Sequence, residues 1–339
     1  MTGARVMTAV RVAVIGGGTS CEHDVSLASA AGVAGALASA GHVVESLTID
    51  RSGGWCRSGG RPIGLDGAVR VLRSCAVAVP MLHGPGGEDG TLAALCELAG
   101  VPYVGSPVRA GALAMDKWAT KLVADAVGVR TAAGTLLTRD RSDHRDVPPA
   151  TRLPVVVKPV AAGSSHGVVL ARTSAQFAAA VGAAFTLDDR VLVEEVVHGR
   201  EIDVAVLGRP DGTRMVAPAL EIVTPAAGIF DHATKYDGSA RFLVPARLSG
   251  TQSGQLQRAA IAMYDALGCA GVARVDFFLT GEGPVLNEVN TTPGFTSHSQ
   301  VPRMFAAAGV PYPQLLEMLI VDAMAVHGGQ RRQAPVPGG

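Results

Sequence analysis

Residues 273–299 read ARVDFFLTGEGPVLNEVNTTPGFTSHS. Two apolar runs flank Gly281-Glu282-Gly283-Pro284, a composition that predicts two strands joined by a turn. Strand alternation puts Arg274 and Asp276 on one face of the first strand. It puts Glu288 and Asn290 on one face of the second. Two carboxylates and an amide carbonyl then converge beside a guanidinium. Hard oxygen donors of this kind suit Mg²⁺, which is held by a few carboxylates plus substrate phosphates. The alternative is an exposed hairpin with cross-strand charge pairs. Against it, Asp276 sits inside an apolar run, where an unpaired carboxylate is costly.

Working outward, other strand-like runs also end in polar, glycine-rich loops. Val10–Ile15 leads into Gly16-Gly17-Gly18, but a GxGxxG fingerprint begun at Gly16 fails at Cys21. Glu22 either complements the dipole of the helix that follows or faces a cleft at the strand's carboxyl end. Cys75–Pro80 is a buried strand that ends in a loop carrying His83. Asp89 is the expected N-cap of a helix over Thr91–Ala99, and Val101–Val104 a short strand closing a parallel α/β unit. Ser106-Pro107 starts a helix with proline at its first position. Lys117, near a helix start, opposes the dipole unless it faces an anion.

Pro154–Lys158 and Val168–Ala171 form a hairpin whose tip, Gly163-Ser164-Ser165-His166-Gly167, can offer backbone N–H groups to phosphate. Lys158 adds a point charge there, and no Walker A sequence occurs. Glu194 and Glu201 flank the end of a strand, either as ribose and adenine ligands or as solvated strand ends. Residues 224–247 read as a long loop of lid type, with Lys235 and Tyr236 inside it. Residues 51–68 read as loop or hairpin. Helices are expected over Ser174–Phe185, Ser249–Leu267, Met304–Ala308 and Tyr312–Val326, with a disordered tail from Gly328.

The 339 residues suffice for two or three domains. Charges balance at 29 to 29, which gives no long-range pull on nucleic acid or anionic membrane. The five cysteines are scattered without a CxxC, so neither a disulfide framework nor a zinc site is expected, and a reducing cytosol fits. No apolar run approaches a spanning helix, and Arg11 interrupts any signal-like stretch.

Taken in order, GGGTSCEHDVSL, HGPGGEDGTL, MDKWATK, VVVKP…GSSHG, the Glu194–Glu201 spacing, the Lys235-Tyr236 pair, ARVDFF and NEVNTTPGFTSHS resemble the D-alanine–D-alanine ligases of the ATP-grasp superfamily, from about Val10 to about Met324. The resemblance implies a three-domain α/β ATP-grasp architecture. A Rossmann-like parallel-sheet domain would span 1–105, a central subdomain 106–194, and a C-terminal subdomain with lid and metal site 195–330, before a disordered tail at 331–339. ATP would phosphorylate the carboxylate of a first D-alanine. The amino group of a second would attack that acyl phosphate, for peptidoglycan precursor synthesis. The same chemistry on another second substrate (D-lactate, D-serine or other), or in an inhibitor-tolerant variant, is the alternative. The cofactors implied are ATP and Mg²⁺, two ions with Mn²⁺ able to substitute. The implied state is a cytoplasmic homodimer without nucleic-acid or membrane partners.

By the same resemblance, Asp276, Glu288 and Asn290 are metal ligands, and Arg274 is the cation at the transferring phosphate and tetrahedral intermediate. Lys117, Lys158 and Ser165 serve the nucleotide phosphates, and Lys235 joins them from the lid. Glu194 and Glu201 meet the adenine and ribose side. Glu22 holds the first ammonium near His83, and Ser164 and Tyr236 tie the lid to it. Gly294 donates to the oxyanion and Ser299 binds the second carboxylate. The lid departs from the family pattern with Phe230-Asp231-His232, and the hairpin tip departs at His166.

Overall fold

The computed structural model describes residues 8–140, 152–223 and 241–333, with side chains to 326. The chain builds three sheets. In the first, β1 (Arg11–Gly17) lies between and parallel to β2 (Val43–Ile49) and β5 (Val77–Pro80). A small antiparallel hairpin, β3 (Trp55–Arg57) and β4 (Arg61–Pro62), extends the β2 edge. The helices α1 (His23–Ser39), α2 (Gly64–Arg73) and α3 (Thr91–Ala99) accompany this sheet. The β1 and β5 chains end at the loops that carry Glu22 and His83, so two loops at the carboxyl ends of adjacent parallel strands face the same cleft.

Several local expectations change. Residues 64–73 form a helix, buried through Gly67, Ala68 and Leu72, and its first five residues fall in the 51–68 stretch read as loop or hairpin. Val101–Val104 is no strand; Tyr103 makes a single bridge to Ala78. The N-cap of α3 is Gly90 rather than Asp89, because the chain turns there at φ 92, a left-handed conformation that favours glycine. Asp89 instead accepts N–H bonds from Thr91 and Gly86, bracing the turn before the cap. Pro107 is the N-cap of α4 (Val108–Met115), one residue outside the helix it was expected to begin. The next helix, α5 (Lys117–Ala126), starts at once, with Asp116 Oδ1 accepting from Ala119 N at 2.9 Å.

The second sheet runs in the order β6 (Gly134–Thr138), β9 (Arg190–Glu195), β7 (Val155–Pro159), β8 (Val169–Ala171), all antiparallel. The helix α6 (Ser174–Ala184) covers one face, burying Phe177 and Val181 against Val155, Val157 and Val193. The chain passes to the third sheet between Glu195 and Arg200.

The third sheet runs β13 (Arg241–Leu243), β12 (Leu220–Val223), β10 (Arg200–Gly208), β14 (Val272–Thr280), β15 (Gly283–Asn290), with β11 (Arg214–Val216) also on β10. Residues 241–243, read as part of the lid, are thus an edge strand. The helix α7 (Gly250–Leu267) opens with a capping box in which Ser249 and Gln252 bond each other's backbone. It buries Leu256, Met263 and Leu267 against Val275 and Phe277. The helix α8 (Gln300–Ala307) leads to α9 (Tyr312–Gln333). α9 continues past Gly328 through 333, so the disordered tail expected from there does not begin before 334. Leu315 and Leu319 of α9 join Val14 and Val79 of the first sheet to Leu207 and Leu220 of the third in one core. That shared core fixes the first sheet's loops relative to the β14–β15 hairpin. Among the described residues no single helix is long and apolar enough to cross a membrane.

Candidate active site

A cleft of about 800 Å³ lies where loops of all three sheets meet. Its floor is the β14–β15 hairpin. Arg274 pairs in register with Asn290, and Asp276 with Glu288. The register shifts just beyond, between Asp276 and Phe277, so the expected four-residue cluster survives on one face. Arg274 grips Asp276 with Nε to Oδ1 and Nη2 to Oδ2, each at 2.7 Å, and gives Nη1 to Gln300 Oε1 at 2.6 Å. Asp203, fully buried on β10 and paired in register with Asp276, stands 3.6 Å from Arg274 Nε. Burial alone would lower the Arg274 pKa, but Asp276 and Asp203 outweigh it and hold the guanidinium charged.

Asn290 Nδ2 donates to Asp276 Oδ2 at 2.9 Å, which leaves the Asn290 carbonyl oxygen as a ligand. A carboxylate offers about four lone-pair sites. The Arg274 and Asn290 bonds use three of those on Asp276 and leave one on Oδ1. Among the described residues no group of three or more His, Cys, Asp or Glu is arranged to hold a metal ion. The set here is instead two carboxylates and an amide, all hard oxygen donors, and it fits Mg²⁺ sharing its shell with phosphate.

The cations stand opposite. Lys117, the first residue of α5, places Nζ 2.7 Å from Ala162 O on the β7–β8 hairpin and 3.8 Å from Glu288 Oε2. Lys158 on β7 pairs with Glu194 Oε2 at 2.6 Å, and Lys121 with Glu194 Oε1 at 2.6 Å. Glu194, expected at the adenine and ribose side, lines the cleft, and its two oxygens pair with lysines from β7, the strand beside β9, and from α5. Burial pushes the Glu194 carboxyl up, and the two ammoniums more than reverse that, leaving it below the ordinary range. Lys121 went unread, although its spacing from Lys117 puts both on one helix face. Glu201 also lines the cleft, from β10.

At the hairpin tip Ser164 and Ser165 take successive left-handed conformations, φ 51 and φ 56, and both line the cleft. The tip meets Glu22 closely: a Cβ on Gly163 would lie 2.1 Å from Glu22 Oε2, and one on Gly84 2.8 Å from it. Glu22 occupies the N-cap position of α1 but makes no capping bond, and it lines the cleft. Of its two readings from sequence, the cleft is the one the backbone supports.

His83 is buried, with Nδ1 2.7 Å from Thr292 O and Nε2 3.1 Å from Ser29 Oγ. The carbonyl only accepts, so Nδ1 carries the proton and Nε2 accepts from the hydroxyl. Burial holds the ring neutral. Nδ1 therefore ties the loop after β5 to the loop after β15 and Nε2 ties it to α1, and His83 lines the cleft. Glu88, also unread, does the same work: Oε2 accepts from Gly84 N at 2.9 Å and Oε1 from Thr292 N at 3.1 Å. Gly294 and Ser299 follow on that second loop and line the cleft. Ser299 Oγ accepts from Thr296 N at 3.0 Å. Lys235, Tyr236, Phe230 and His232 lie outside the described residues. The structure thus lines one cleft with fourteen of the sixteen site residues read from sequence, the ion-paired Glu194 and the hydrogen-bonded His83 among them.

The family model described as "D-ala D-ala ligase C-terminus" matches residues 123–321, and the one described as "D-ala D-ala ligase N-terminus" matches residues 61–106. The D-alanine–D-alanine ligase of Mycobacterium tuberculosis is 41% identical, over 93% of this chain and 96% of that protein. The solved D-alanine-D-alanine ligase from Coxiella burnetii superposes with a TM-score of 0.82 at 32% identity, covering 95% of this chain and 97% of the other. The VanG D-Ala:D-Ser ligase from Enterococcus faecalis gives a TM-score of 0.82 at 33% identity, covering 93% and 100%. The ATP-grasp α/β architecture expected from the motifs is the one observed, and the chain belongs to the D-alanine–D-alanine ligase family.

Proposed function

We propose that this protein ligates two D-alanines with ATP, releasing ADP and phosphate, and so supplies a peptidoglycan precursor. The observation that carries this reading is Arg274, half-buried, charged and clamped at the floor of a cleft whose opposite wall holds Lys117 and Lys158. Cations on both sides of one cleft suit a phosphoryl group moving from ATP to a carboxylate. Glu22 receives the first ammonium. The γ-phosphoryl passes to that substrate's carboxylate between Lys117 and Arg274. The amino group of the second D-alanine attacks the acyl phosphate. Arg274 and the Gly294 N–H stabilise the tetrahedral oxyanion, and Ser299 holds the second carboxylate. Glu201 takes the ribose, while Glu194 serves by fixing Lys158. The serine tip, with Ser164 and Ser165, covers the phosphates and excludes water, which would hydrolyse the acyl phosphate. Asp276, Glu288 and Asn290 would hold Mg²⁺, or Mn²⁺ in its place, which neutralises phosphate charge.

A cytoplasmic homodimer with no nucleic-acid or membrane partner belongs to the same proposal. The 29-to-29 charge balance supports the lack of pull on polyanions, and sedimentation analysis tests the dimer. The ligase reading is tested by phosphate release from Mg-ATP with D-alanine alone, then with D-lactate or D-serine added, and mass analysis of the product. D-alanyl-D-alanine as the main product is expected. A mixed product, or ATP turnover without dipeptide, overturns it.

A further inference from the structure

We infer that Gln300 is a positioning residue for the second-substrate end of the cleft: it fixes Arg274 through its side-chain carbonyl and turns its amide –NH₂ toward the incoming substrate. The inference rests on the ligase reading above.

Arg274 has five N–H bonds. Two go to Asp276, and one goes from Nη1 to Gln300 Oε1 at 2.6 Å. These contacts leave one N–H on each Nη. Asp276 alone would hold the guanidinium along one edge and leave it free to tilt about that edge. Gln300 pins the opposite corner, so the remaining N–H bonds keep a fixed aim. A guanidinium only donates, so the atom facing it must be the Gln300 carbonyl oxygen. The –NH₂ group is then turned away from Arg274, and Gln300 lines the cleft directly after Ser299.

The position is held from behind. Gln300 is the first residue of α8, and Val301, Met304 and Phe305 of that helix are fully buried. The group's neutrality matters as much as its place. Arg274 already feels Asp276, Asp203 and Glu288. A further carboxylate would cancel charge that the transferring phosphoryl and the oxyanion need. An apolar side chain would leave a charged N–H without its acceptor. A neutral amide avoids both costs and adds donors where the second substrate's oxygens arrive.

The test compares wild type with Gln300→Met, which keeps the length without the amide, and Gln300→Glu, which keeps the acceptor but replaces the donors. ATP binding, the two D-alanine KM values, kcat and the melting temperature are measured for each. Gln300→Met is expected to fold with a slightly lowered melting temperature, since one Arg274 N–H loses its acceptor, and to bind ATP and the first D-alanine within about twofold of wild type. Its kcat/KM for the second D-alanine should fall about ten- to a hundredfold, the worth of one hydrogen bond to a charged group. Gln300→Glu should fall further. An unchanged second-substrate kcat/KM in Gln300→Met overturns the inference, as does a proportional loss in every step, which marks a merely structural residue. Gln300→Glu with wild-type turnover overturns the donor role. A wild-type protein that makes no dipeptide overturns the ligase reading, and this inference with it.

Discussion

Lys158 Nζ lies 2.6 Å from Glu194 Oε2, and the opposite oxygen of the same carboxylate holds Lys121 at 2.6 Å. One buried carboxylate thus stands between two ammoniums and fixes the lysine expected to meet ATP phosphate. Glu194→Gln removes the charge and strands both cations, a change that costs about 3–5 kcal/mol in a buried pair. Melting should fall accordingly, and the ATP KM should rise more than tenfold. The sign with pH follows from a carboxyl held below its ordinary range. Its stabilisation is present above that range and lost as pH falls through the folded value, so Glu194→Gln should lose part of the acid-side slope of melting temperature. A variant with wild-type melting and ATP affinity would remove this role.

What was legible in the sequence was what period-2 alternation controls. Arg274, Asp276, Glu288 and Asn290 share a face because their spacing dictates it, and the bulge after Asp276 comes too late to separate them. Partners across long separations were not legible: nothing near Glu194 says that Lys121 reaches it from another helix. Asp203 had a signal that was passed over, a carboxylate inside the apolar run Ile202–Leu207, the same cost argument that singled out Asp276. Gln300 was hidden by Pro302. Proline is tolerated in the first turn of a helix, so α8 begins two residues before it rather than after it. The helix α2 was masked by the glycines and proline that precede it.

Asp276→Asn and Glu288→Gln test the metal assignment. Each keeps size and removes one anionic ligand. Both proteins should fold, with kcat reduced by about two to three orders of magnitude. Mn²⁺ titration in the presence of a non-hydrolysable ATP analogue should show weakened metal binding in both. Full activity in either variant, or undiminished Mn²⁺ affinity, would show that the ion sits elsewhere.

Glu88 carries a pH dependence. Burial raises its carboxyl from 4.5 to about 7, despite the Gly84 and Thr292 N–H bonds that favour the charged form. The native state therefore binds the proton more tightly than the unfolded chain does. Stability from this group is present at low pH and is lost as pH rises through the folded value. Between pH 4.5 and about 7 the wild type should lose stability on this account, and Glu88→Gln should flatten that slope. Equal slopes in the two proteins, read by thermal melting across the window, would rule the group out.

Gly163 bears directly on Glu22. An added Cβ would lie 2.1 Å from Glu22 Oε2 and 3.1 Å from its Cδ, so Gly163→Ala must push the carboxylate aside. The backbone at Gly163 is outside the left-handed region, so alanine brings no conformational strain of its own. The obstruction is the far end of a flexible side chain, and the fold should survive. The damage should fall on the first D-alanine, whose KM is expected to rise about ten- to a hundredfold through loss of one charge-assisted contact. ATP binding should change little. Gly182→Ala, where an added Cβ meets nothing within 4 Å, is the control and should behave as wild type. If Gly163→Ala leaves the first-substrate KM unmoved, Glu22 is not the group that receives the ammonium.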